Sequence, residues 1–549
     1  MHDCQGLFQN MAPVFAPFIV CAAGAALAGI FTLTPLGRRI PTNVMGWMLS
    51  IAPAAAFILL LQWAPALIAG EKFVGSFAWL PALDIQISLW LDGLSALFAL
   101  LVTGIGALVV IYAGYYFTNA FSTPEERGEN KDARFFLYIL LFMMSMLGLV
   151  LAGDVITLFV FWEGTSITSF LLVAYKTKDE TARKGAFKAL FITGGGGIAL
   201  LAGLLFVSAV AGGTDFAAIL KSGAALRESA WYPVMFGLVA LGAFTKSAQV
   251  PAHIWLPNAM SAPTPASAFL HSATMVKAGI YLMARLFPAL GGTDLWFWTL
   301  ILFGTVTMLV GAIIGMKQTD LKAVLAFSTI SQLGVLMFLI GQSNAAAFKA
   351  LVIGVIAHAL YKGGLFLITG IVDLSTGTRD LRRLGKIWKL MPFSFIIAAV
   401  AGMSAAGLPP LLGFLSKETL LADILEHPAP GLWVLLLPAA VVVMGAFMLA
   451  EAAILVVDTF VTEPGAGFPT LYLGLPLTGE GIDDPEDVEE IDLHKHPLNL
   501  PRVRARRGRE ALVGMLLGPA VLAALSIVFT VAPFAGTSDF LAQAAGAAR

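Results

Sequence analysis

Long apolar stretches alternate with short polar ones from one end of the 549-residue chain to the other. A stretch of about 18 or more apolar residues can cross a bilayer as a helix, because a helix satisfies its own backbone hydrogen bonds in lipid. The sequence contains fourteen such stretches, near residues 13–33, 45–69, 92–117, 135–152, 154–175, 187–212, 232–249, 263–286, 295–316, 322–341, 348–373, 391–425, 431–460 and 511–534. The pattern therefore predicts an all-α polytopic membrane protein with about fourteen transmembrane helices.

Two stretches depart from this pattern. Residues 71–91 contain Pro81 and the partly alternating sequence DIQISLW, which predicts a short extracellular hairpin or interfacial segment, with a plain loop as the alternative. Residues 461–510 are rich in glycine and proline, and are acidic first and basic afterwards. This composition predicts a cytoplasmic loop, either solvated or docked on a partner protein.

Composition agrees with a membrane protein. Apolar residues make up 58% of the chain and charged residues 12%, whereas soluble domains are about 25% charged. The net charge of −1 says nothing about a nucleic-acid partner. The sequence has no basic, aromatic-interleaved patch to suggest one, so we expect none. Cys4 and Cys21 are too few and too far apart for a metal or iron–sulfur site. The first apolar run lacks a basic leader, so we expect it to be a retained helix.

The positions of lysine and arginine predict the orientation in the membrane. If the N-terminus faces outward, the inward loops carry Arg38, Arg39, Lys176, Lys178, Arg183, Lys184, Lys188, Lys317, Arg379, Arg382, Arg383, Lys386 and Lys389. The outward loops then carry few cations, namely Lys72, Lys221, Arg227 and, at a helix end, Arg285. The positive-inside rule therefore predicts a multi-pass protein of the cell (inner) membrane with both termini outside.

Ionisable side chains interrupt several predicted spans. They are Glu163, Lys246, His271, Lys277, Lys322, His358, Lys362 and Lys417. Such groups are expensive at membrane depth and usually belong to an ion or proton path. Four prolines follow Lys246 within twenty residues, and Pro409 and Pro410 precede Lys417. These prolines should break both helices and leave a polar interior, and their spacing of about 170 residues indicates two halves of like architecture.

Several of these stretches resemble a known family. They read LDGLSALFALLVTGIGALVVIYAGYYF, FWEGTSITSFLLVAY, FTKSAQVPAHIWLPNAMSAPTPASAFLHSATMVKAGIYL, LKAVLAFSTISQLG, HALYKGGLFLITGIVDLSTGTRDLRRLG and GLPPLLGFLSKE. They are similar to the large antiporter-like subunits of the proton-pumping NADH dehydrogenase superfamily, and most closely to MrpA-type large subunits of multisubunit Na+/H+ antiporters. The resemblance is strong over residues 85–425. The uncharged FITGGGGIAL favours the MrpA branch, since quinone-reductase relatives carry charges there.

The resemblance implies both the fold and the site. It implies two inverted five-helix repeats with broken helices at 135–286 and 295–460, after N-terminal helices in 1–134 and before the loop 461–510 and a C-terminal helix and tail in 511–549. The implied proton pathway comprises Glu163, Lys246, His271, Lys277, Lys322, His358, Lys362, Lys417 and, beside the last, Glu418. MrpA proteins usually continue further, so we expect a shortened or split form whose remaining part is another polypeptide.

Two functions fit this pattern. The chain can be a proton-translocating subunit of a multisubunit Na+/H+ antiporter, with other membrane subunits as partners, Na+ and H+ as transported ions and the lipid bilayer around it. It can also be the proton-conducting subunit of an energy-coupled enzyme complex: a redox complex, a membrane hydrogenase or a bicarbonate-uptake system. The sequence holds no nucleotide loop, metal cluster or quinone-like constellation, so we expect no cofactor or catalytic residue here and place any enzymatic centre on another subunit.

Each site residue also has a structural interpretation. Glu163 can be a helix–helix hydrogen-bond acceptor, and His271 can be a satisfied core histidine. Lys246 and Lys417 can snorkel from helix ends. His358 and Lys362 share a helix face at i and i+4, which fits either packing or a joint role. Charges at span edges, such as Lys322, Lys277 and Glu418, can belong to loops.

Elementary electrostatics predicts how Glu163 and Lys246 would work together. Burial disfavours the charged form of a lysine, and a nearby carboxylate favours it. At an effective dielectric constant of about 20, two unit charges about 4 Å apart interact by roughly 4 kcal/mol. Movement of Glu163 relative to Lys246 would therefore switch the lysine between holding and releasing a proton. The released proton would pass toward His271 and on to Lys322, Lys362 and Lys417.

Overall fold

A computed structural model describes residues 2–83, 85–120, 131–463, 511, 513–531 and 537–548. The predicted cytoplasmic loop 461–510 lies outside the described residues beyond Glu463. The described chain is almost entirely helical, as the apolar pattern predicts.

The helices, numbered in chain order, are α1 (His2–Leu33), α2 (Leu36–Arg39), α3 (Thr42–Leu61), α4 (Ala64–Ile68), α5 (Gly93–Ala120), α6 (Lys131–Val150), α7 (Val155–Val173), α8 (Glu180–Ala211), α9 (Phe216–Lys221), α10 (Gly223–Glu228), α11 (Tyr232–Lys246), α12 (Trp255–Asn258), α13 (Thr264–Ser272), α14 (Ala278–Leu290), α15 (Asp294–Gly315), α16 (Leu321–Gln342), α17 (Ala345–Thr376), α18 (Pro392–Ala406), α19 (Leu412–Glu426), α20 (Trp433–Ala453), α21 (Val513–Val531) and α22 (Thr537–Ala547). A π-helical turn, Ile454–Asp458, continues α20.

Eleven helices of the described chain are long and apolar enough to cross a membrane: α1, α3, α5, α6, α7, α8, α15, α16, α17, α20 with its π turn, and α21. Each coincides with one of the fourteen predicted spans. The protein is therefore a multi-pass membrane protein. In the central helices α16 and α17, 89% and 94% of the residues in the most apolar 18-residue stretch are buried. In α8 and α15 the buried share of this stretch is 39%. Lys322 on α16 and His358 and Lys362 on α17 lie in the interior of the helical bundle.

The other three predicted spans are not continuous helices. The span 232–249 contains only the 15-residue α11, which ends at Lys246, and the span 391–425 divides into α18 and α19 around Gly407. These two breaks confirm the prediction from the prolines. The span 263–286 is also interrupted, between α13 and α14, which the sequence did not predict. There Thr274 leaves the helical backbone conformation (φ −127°, ψ −100°), and its hydroxyl donates to the carbonyl of Phe269 at 2.7 Å.

Residues 71–91 form an antiparallel hairpin of β1 (Phe73–Leu80) and β2 (Ile85–Leu91), as one of the sequence interpretations expected. Strand β2 is buried against the bundle, while β1 is mostly exposed. The Ser88 carbonyl accepts the Gly153 amide at 2.8 Å, so β2 also pairs with the loop before α7. We call the side of the molecule formed by residues 73–91, 151–154, 214–228 and 285–294 the hairpin face.

Asp154 is the N-cap of α7. Its side chain accepts the Thr157 amide at 2.8 Å and the Ser88 amide at 3.1 Å. One carboxylate therefore accepts hydrogen bonds from the first turn of a helix and from a strand, and this fixes the position of the hairpin relative to α7.

The prediction of orientation counted Arg285 as an outward charge at a helix end. The structure contradicts this. The side chain of Arg285 is buried and makes a bidentate ion pair with Asp92, from Nη1 to Oδ2 at 2.6 Å and from Nη2 to Oδ1 at 2.8 Å. The guanidinium also lies over the ring of Trp90, 5.7 Å from its centroid. Planar bidentate pairing explains why an arginine is tolerated inside the protein here.

Candidate functional site

Glu163 and Lys246 form the first group of charged residues, between α7 and the end of α11. Lys246 is fully buried, and its Nζ donates to Ser166 Oγ at 2.7 Å and to the carbonyl of Trp162 at 3.1 Å. Ser166 also contacts the Glu163 carboxylate, and the charges of Glu163 and Lys246 act on one another. The break after Lys246 delivers its ammonium to α7, so the two predicted partners lie together with a serine hydroxyl between them.

Glycines of α8 form the wall beside this pair. A Cβ atom at Gly197 would collide with Oε1 of Glu163, and a Cβ atom at Gly196 would collide with Oγ1 of Thr245, the residue before Lys246. Gly195 on the same helix has open space in place of a side chain. The FITGGGGIAL segment thus lets α8 approach both partners closely.

His271 and Lys322 form the second group. His271 is fully buried at the end of α13, and neither of its ring nitrogens hydrogen-bonds a described residue. Lys322, at the start of α16, lies within electrostatic range of His271, and its Nζ donates to the carbonyl of Ala262 at 2.8 Å. The Trp255 ring, 6.3 Å from the His271 ring, donates through Nε1 to the carbonyl of Thr245 at 2.8 Å. This tryptophan therefore bridges the surroundings of Lys246 and of His271.

Lys277, His358 and Lys362 form the third group, between the interrupted span and α17. Lys277 Nζ donates to the carbonyl of Val355 at 2.9 Å, one turn before His358. His358 is fully buried, lies within electrostatic range of both lysines, and has no described hydrogen-bond partner at either ring nitrogen. Lys362 Nζ donates to the hydroxyl of Ser328 on α16. His358 and Lys362 share one face of α17, as their spacing predicts.

The group around Lys362 extends to a buried carboxylate on α20. Glu451 is 1% exposed and lies within electrostatic range of Lys362 and Lys417. Its carboxylate abuts Gly315 of α15, where a side chain would collide with Oε1. Neither carboxylate oxygen hydrogen-bonds a described residue. The second half of the chain therefore repeats the chemistry of the first, with a carboxylate seated against a glycine and a lysine nearby.

Lys417 lies at the second break. Its Nζ donates at 2.7 Å to the carbonyl of Ala406, the last residue of α18, and its side chain lies along Gly407, whose φ is +80°. A cation at the C-terminal end of a helix is stabilised by the unpaired carbonyls and the helix dipole. Unlike Lys246, Lys417 keeps part of its side chain accessible.

Buried bases and acids in such succession can exchange protons, because each group has a partner of similar chemistry within reach and low-dielectric surroundings. An imidazole can take up a proton at one ring nitrogen and release one from the other, and a lysine loses its proton more readily when it is buried.

Comparison with known proteins decides the family. Residues 152–449, more than half of the chain, match the family described as NADH:quinone oxidoreductase/Mrp antiporter, transmembrane. The chain belongs to this family. Residues 79–136 also match the family described as NADH-ubiquinone oxidoreductase (complex I), chain 5 N-terminus. All nine predicted pathway residues fall within the first match.

Similar proteins include large components of cation/proton antiporters. The A component of the Na+/H+ antiporter of Alkalihalophilus pseudofirmus is 40% identical over 508 residues, which are 90% of this chain and 58% of the relative. The A/B component of a probable K+/H+ antiporter of Rhizobium meliloti is 41% identical over 451 residues, 81% of this chain and 44% of that protein. The chain thus spans about half the length of these relatives.

Solved structures agree. A chain of the Mrp complex from Dietzia sp. superposes with a TM-score of 0.78 at 33% identity, covering 97% of this chain and 52% of that one. A chain of the membrane-bound sulfane sulfur reductase, an archaeal respiratory membrane complex, has a TM-score of 0.72 at 23% identity, covering 95% of this chain and 76% of that one. The second likeness shows the shared fold.

Within this member of the NADH:quinone oxidoreductase/Mrp antiporter family, eight of the nine predicted residues lie in the three groups or at the second break. Glu418 is the exception, since it is exposed beside Lys417. The acid near Lys417 is instead Glu451, which was not among the residues predicted from the sequence. The signal was present, because Glu451 is a carboxylate inside the apolar run of the predicted span 431–460.

Proposed function

We propose that the chain is a proton-translocating subunit of a multisubunit Na+/H+ antiporter. The observation that carries this proposal is the succession of ionisable side chains inside a member of the NADH:quinone oxidoreductase/Mrp antiporter family. It runs from the partly buried Glu163 and the fully buried Lys246 through His358 to Lys362 and Glu451. Proton entry down the membrane potential, worth about 2.3 kcal/mol per charge per 100 mV, would drive cation expulsion.

The proposed pathway consists of Glu163, Lys246, His271, Lys277, Lys322, His358, Lys362 and Lys417, with Glu418 at its end and Glu451 added from the geometry. A proton held by Lys246 would leave when Glu163 moves away, since the carboxylate favours the charged lysine. The hydroxyls of Ser166 and Ser328 accept hydrogen bonds from the ammonium groups of Lys246 and Lys362, respectively. These hydrogen bonds would hold the lysines in position.

The proposed architecture is fourteen transmembrane segments with two inverted five-helix repeats, 135–286 and 295–460, the loop 461–510 in the cytoplasm, and both termini outside. Two isolated backbone bridges support it. Asp154 pairs with Asp215 on the hairpin face, and Asp320 pairs with Asp380 about 165 residues later. Both Asp154 and Asp320 are N-caps of a helix. Both α7 and α16 are followed by a long helix, α8 or α17, and later by a broken one, so the likeness extends over three segments.

The ion and the partners are also proposals. Relatives described as components of a Na+/H+ antiporter and of a probable K+/H+ antiporter favour a monovalent cation. A chain of an Mrp complex as structural neighbour favours assembly with other membrane subunits in the inner membrane.

The experiment is a dye-quench assay in everted membrane vesicles that contain the chain with its partner subunits. Addition of Na+, K+ or Li+ should dissipate a preformed pH gradient, and the effective ion identifies the cation. We expect Glu163→Gln, Lys246→Ala and Lys417→Ala to abolish this response while the complex still co-purifies, because each removes a proton carrier.

Lys184→Ala is the matched control, since Lys184 is an exposed lysine paired with Glu180 on the surface of α8. It should transport normally. Wild-type transport in all three pathway variants would refute the proposed function.

A further inference from the structure

Asp423 is a buried carboxylate that the proposed pathway does not use. It lies in the last turn of α19, which ends at Glu426, yet its side chain is 0% exposed. A carboxylate buried at such a position is costly unless a partner or a function compensates for it. Asp423 therefore requires an explanation beyond packing.

His427 connects this carboxylate to the aqueous phase. Its Nδ1 lies 3.2 Å from Asp423 Oδ1 and 3.3 Å from the backbone carbonyl of Asp423, and its side chain is 49% exposed. The other groups that act on the carboxylate are the side chain of Asn344, which caps α17, and the exposed Glu426. The polar contact thus runs from the surface through one imidazole to a fully enclosed acid.

The position of this pair relates it to the hairpin face. Phe348, one turn into α17, packs on Phe287 of α14 with ring centroids 4.8 Å apart. Phe287 lies two residues after Arg285, whose partner Asp92 follows the hairpin. Asn344 therefore lies at the hairpin face, and Asp423 lies with it.

The same helix leads from this pair to the interior. Asp423 and Lys417 are six residues apart on α19, about 9 Å of helix rise. Lys417 in turn lies within electrostatic range of Glu451. The pair is thus placed between the surface and the second half of the charged series.

We propose that His427 and Asp423 form a proton-exchange port that connects the aqueous phase at the hairpin face with Lys417; this rests on the proposed function. His427 takes a proton from water at Nε2 and gives the proton at Nδ1 to Asp423 Oδ1, which leaves the imidazole neutral as the other tautomer. The carboxyl proton then passes to Lys417 by way of water, because about 9 Å exceeds one hydrogen bond. The positive-inside rule predicts that this face is outside.

The test uses the same vesicles and the cation-driven proton flux. Asp423→Asn keeps the shape but cannot carry a proton, and should lower the flux by about a hundredfold. Glu426→Gln is the matched control, since Glu426 is an exposed acid on the same helical turn, and it should leave the flux unchanged. His427→Gln removes the imidazole that relays the proton to Asp423 and should also lower the flux, by about tenfold to a hundredfold.

The outcomes separate the port from the proposed function. If Lys246→Ala and Lys417→Ala lose transport while Asp423→Asn transports like the wild type, the port is wrong and the function stands. If the two lysine variants transport normally, the function itself fails.

A second measurement decides the matter if Asp423→Asn does not assemble. His427→Cys, with both native cysteines replaced, is treated in intact cells with a thiol reagent that reaches the outer face but does not cross the cell membrane. Everted vesicles are prepared afterwards, and the port requires the flux to be lost on modification. Glu228→Cys, exposed on the same face at the end of α10, is the control. Undiminished flux through the modified His427→Cys protein would overturn the port.

Discussion

A single missing methyl group positions the first charged pair. Glu163 can lie between α7 and α8 only because Gly197 presents no side chain to its carboxylate. The neighbouring Gly196 gives the same room to Thr245, at the end of the helix that delivers Lys246. At the scale of residues, the site therefore depends on glycines as much as on charges.

Gly197→Ala should displace the Glu163 carboxylate and lower cation-driven proton flux by about tenfold to a hundredfold, the usual cost of misplacing a reacting group by about 1 Å. Gly195→Ala adds the same methyl group to the same helix in open space and should leave the flux unchanged. The shorter Glu163→Asp should partly restore flux in the Gly197→Ala background. Equal flux in Gly197→Ala and Gly195→Ala would show that the wall has no such role.

Residue types were more predictable than residue partners. An ionisable residue within an apolar run is visible in the sequence, and Glu163, Lys246, His358 and Lys362 were found in that way. Apart from the expected pair of Glu163 and Lys246, which of them meet is not visible in the sequence, because contacts between helices depend on packing angles that composition does not encode. The acid of the second half was assigned to the neighbour of Lys417 in sequence, whereas the structure brings Glu451 to it from α20.

At the scale of elements, the breaks in the helices determine where the ammonium groups of Lys246 and Lys417 lie. Proline predicted the breaks after α11 and α18, since it removes a backbone donor and clashes with the preceding turn. The break between α13 and α14 has no proline inside it; a threonine hydroxyl replaces a backbone hydrogen bond there. Such a substitution is not distinguishable in sequence from an ordinary helical threonine, so the prediction of one continuous span was wrong.

The hairpin is the other element on which the fold depends, and the buried pair of Asp92 and Arg285 attaches it. Arg285→Ala leaves a buried aspartate without its partner and should lower the free energy of unfolding by about 3–5 kcal/mol. The measurement is the thermal unfolding of the purified complex in detergent.

Lys72→Ala is the control for this prediction. Lys72 lies over the same Trp90 ring as Arg285, at 5.7 Å, but it is exposed, so its loss should cost less than about 0.5 kcal/mol. The double variant Asp92→Leu with Arg285→Met should recover most of the stability, because it removes both buried charges. An unchanged melting temperature for Arg285→Ala would show that the pair does not attach the hairpin.

At the scale of the whole molecule, the apolar pattern predicted the fold class and eleven of the membrane-crossing helices. The pattern could not separate a continuous span from two half-helices with a few residues between them, since both are equally apolar. Burial distinguishes the helices instead. The central α16 and α17 carry Lys322, His358 and Lys362, whereas α8 and α15 face outward and contribute the glycines beside the two carboxylates.

The central claim is that buried lysines release and rebind protons, and Lys246→Arg tests it most directly. Arginine keeps the positive charge beside Glu163 but does not release its proton. The measurement is the cation-driven proton flux in everted vesicles, with assembly checked by co-purification. Lys246→Arg should lower this flux by about a hundredfold. Lys184→Arg, at an exposed lysine, should leave it unchanged. If Lys246→Arg transports at the wild-type rate, the lysine serves as a fixed charge and the proposed proton path is contradicted.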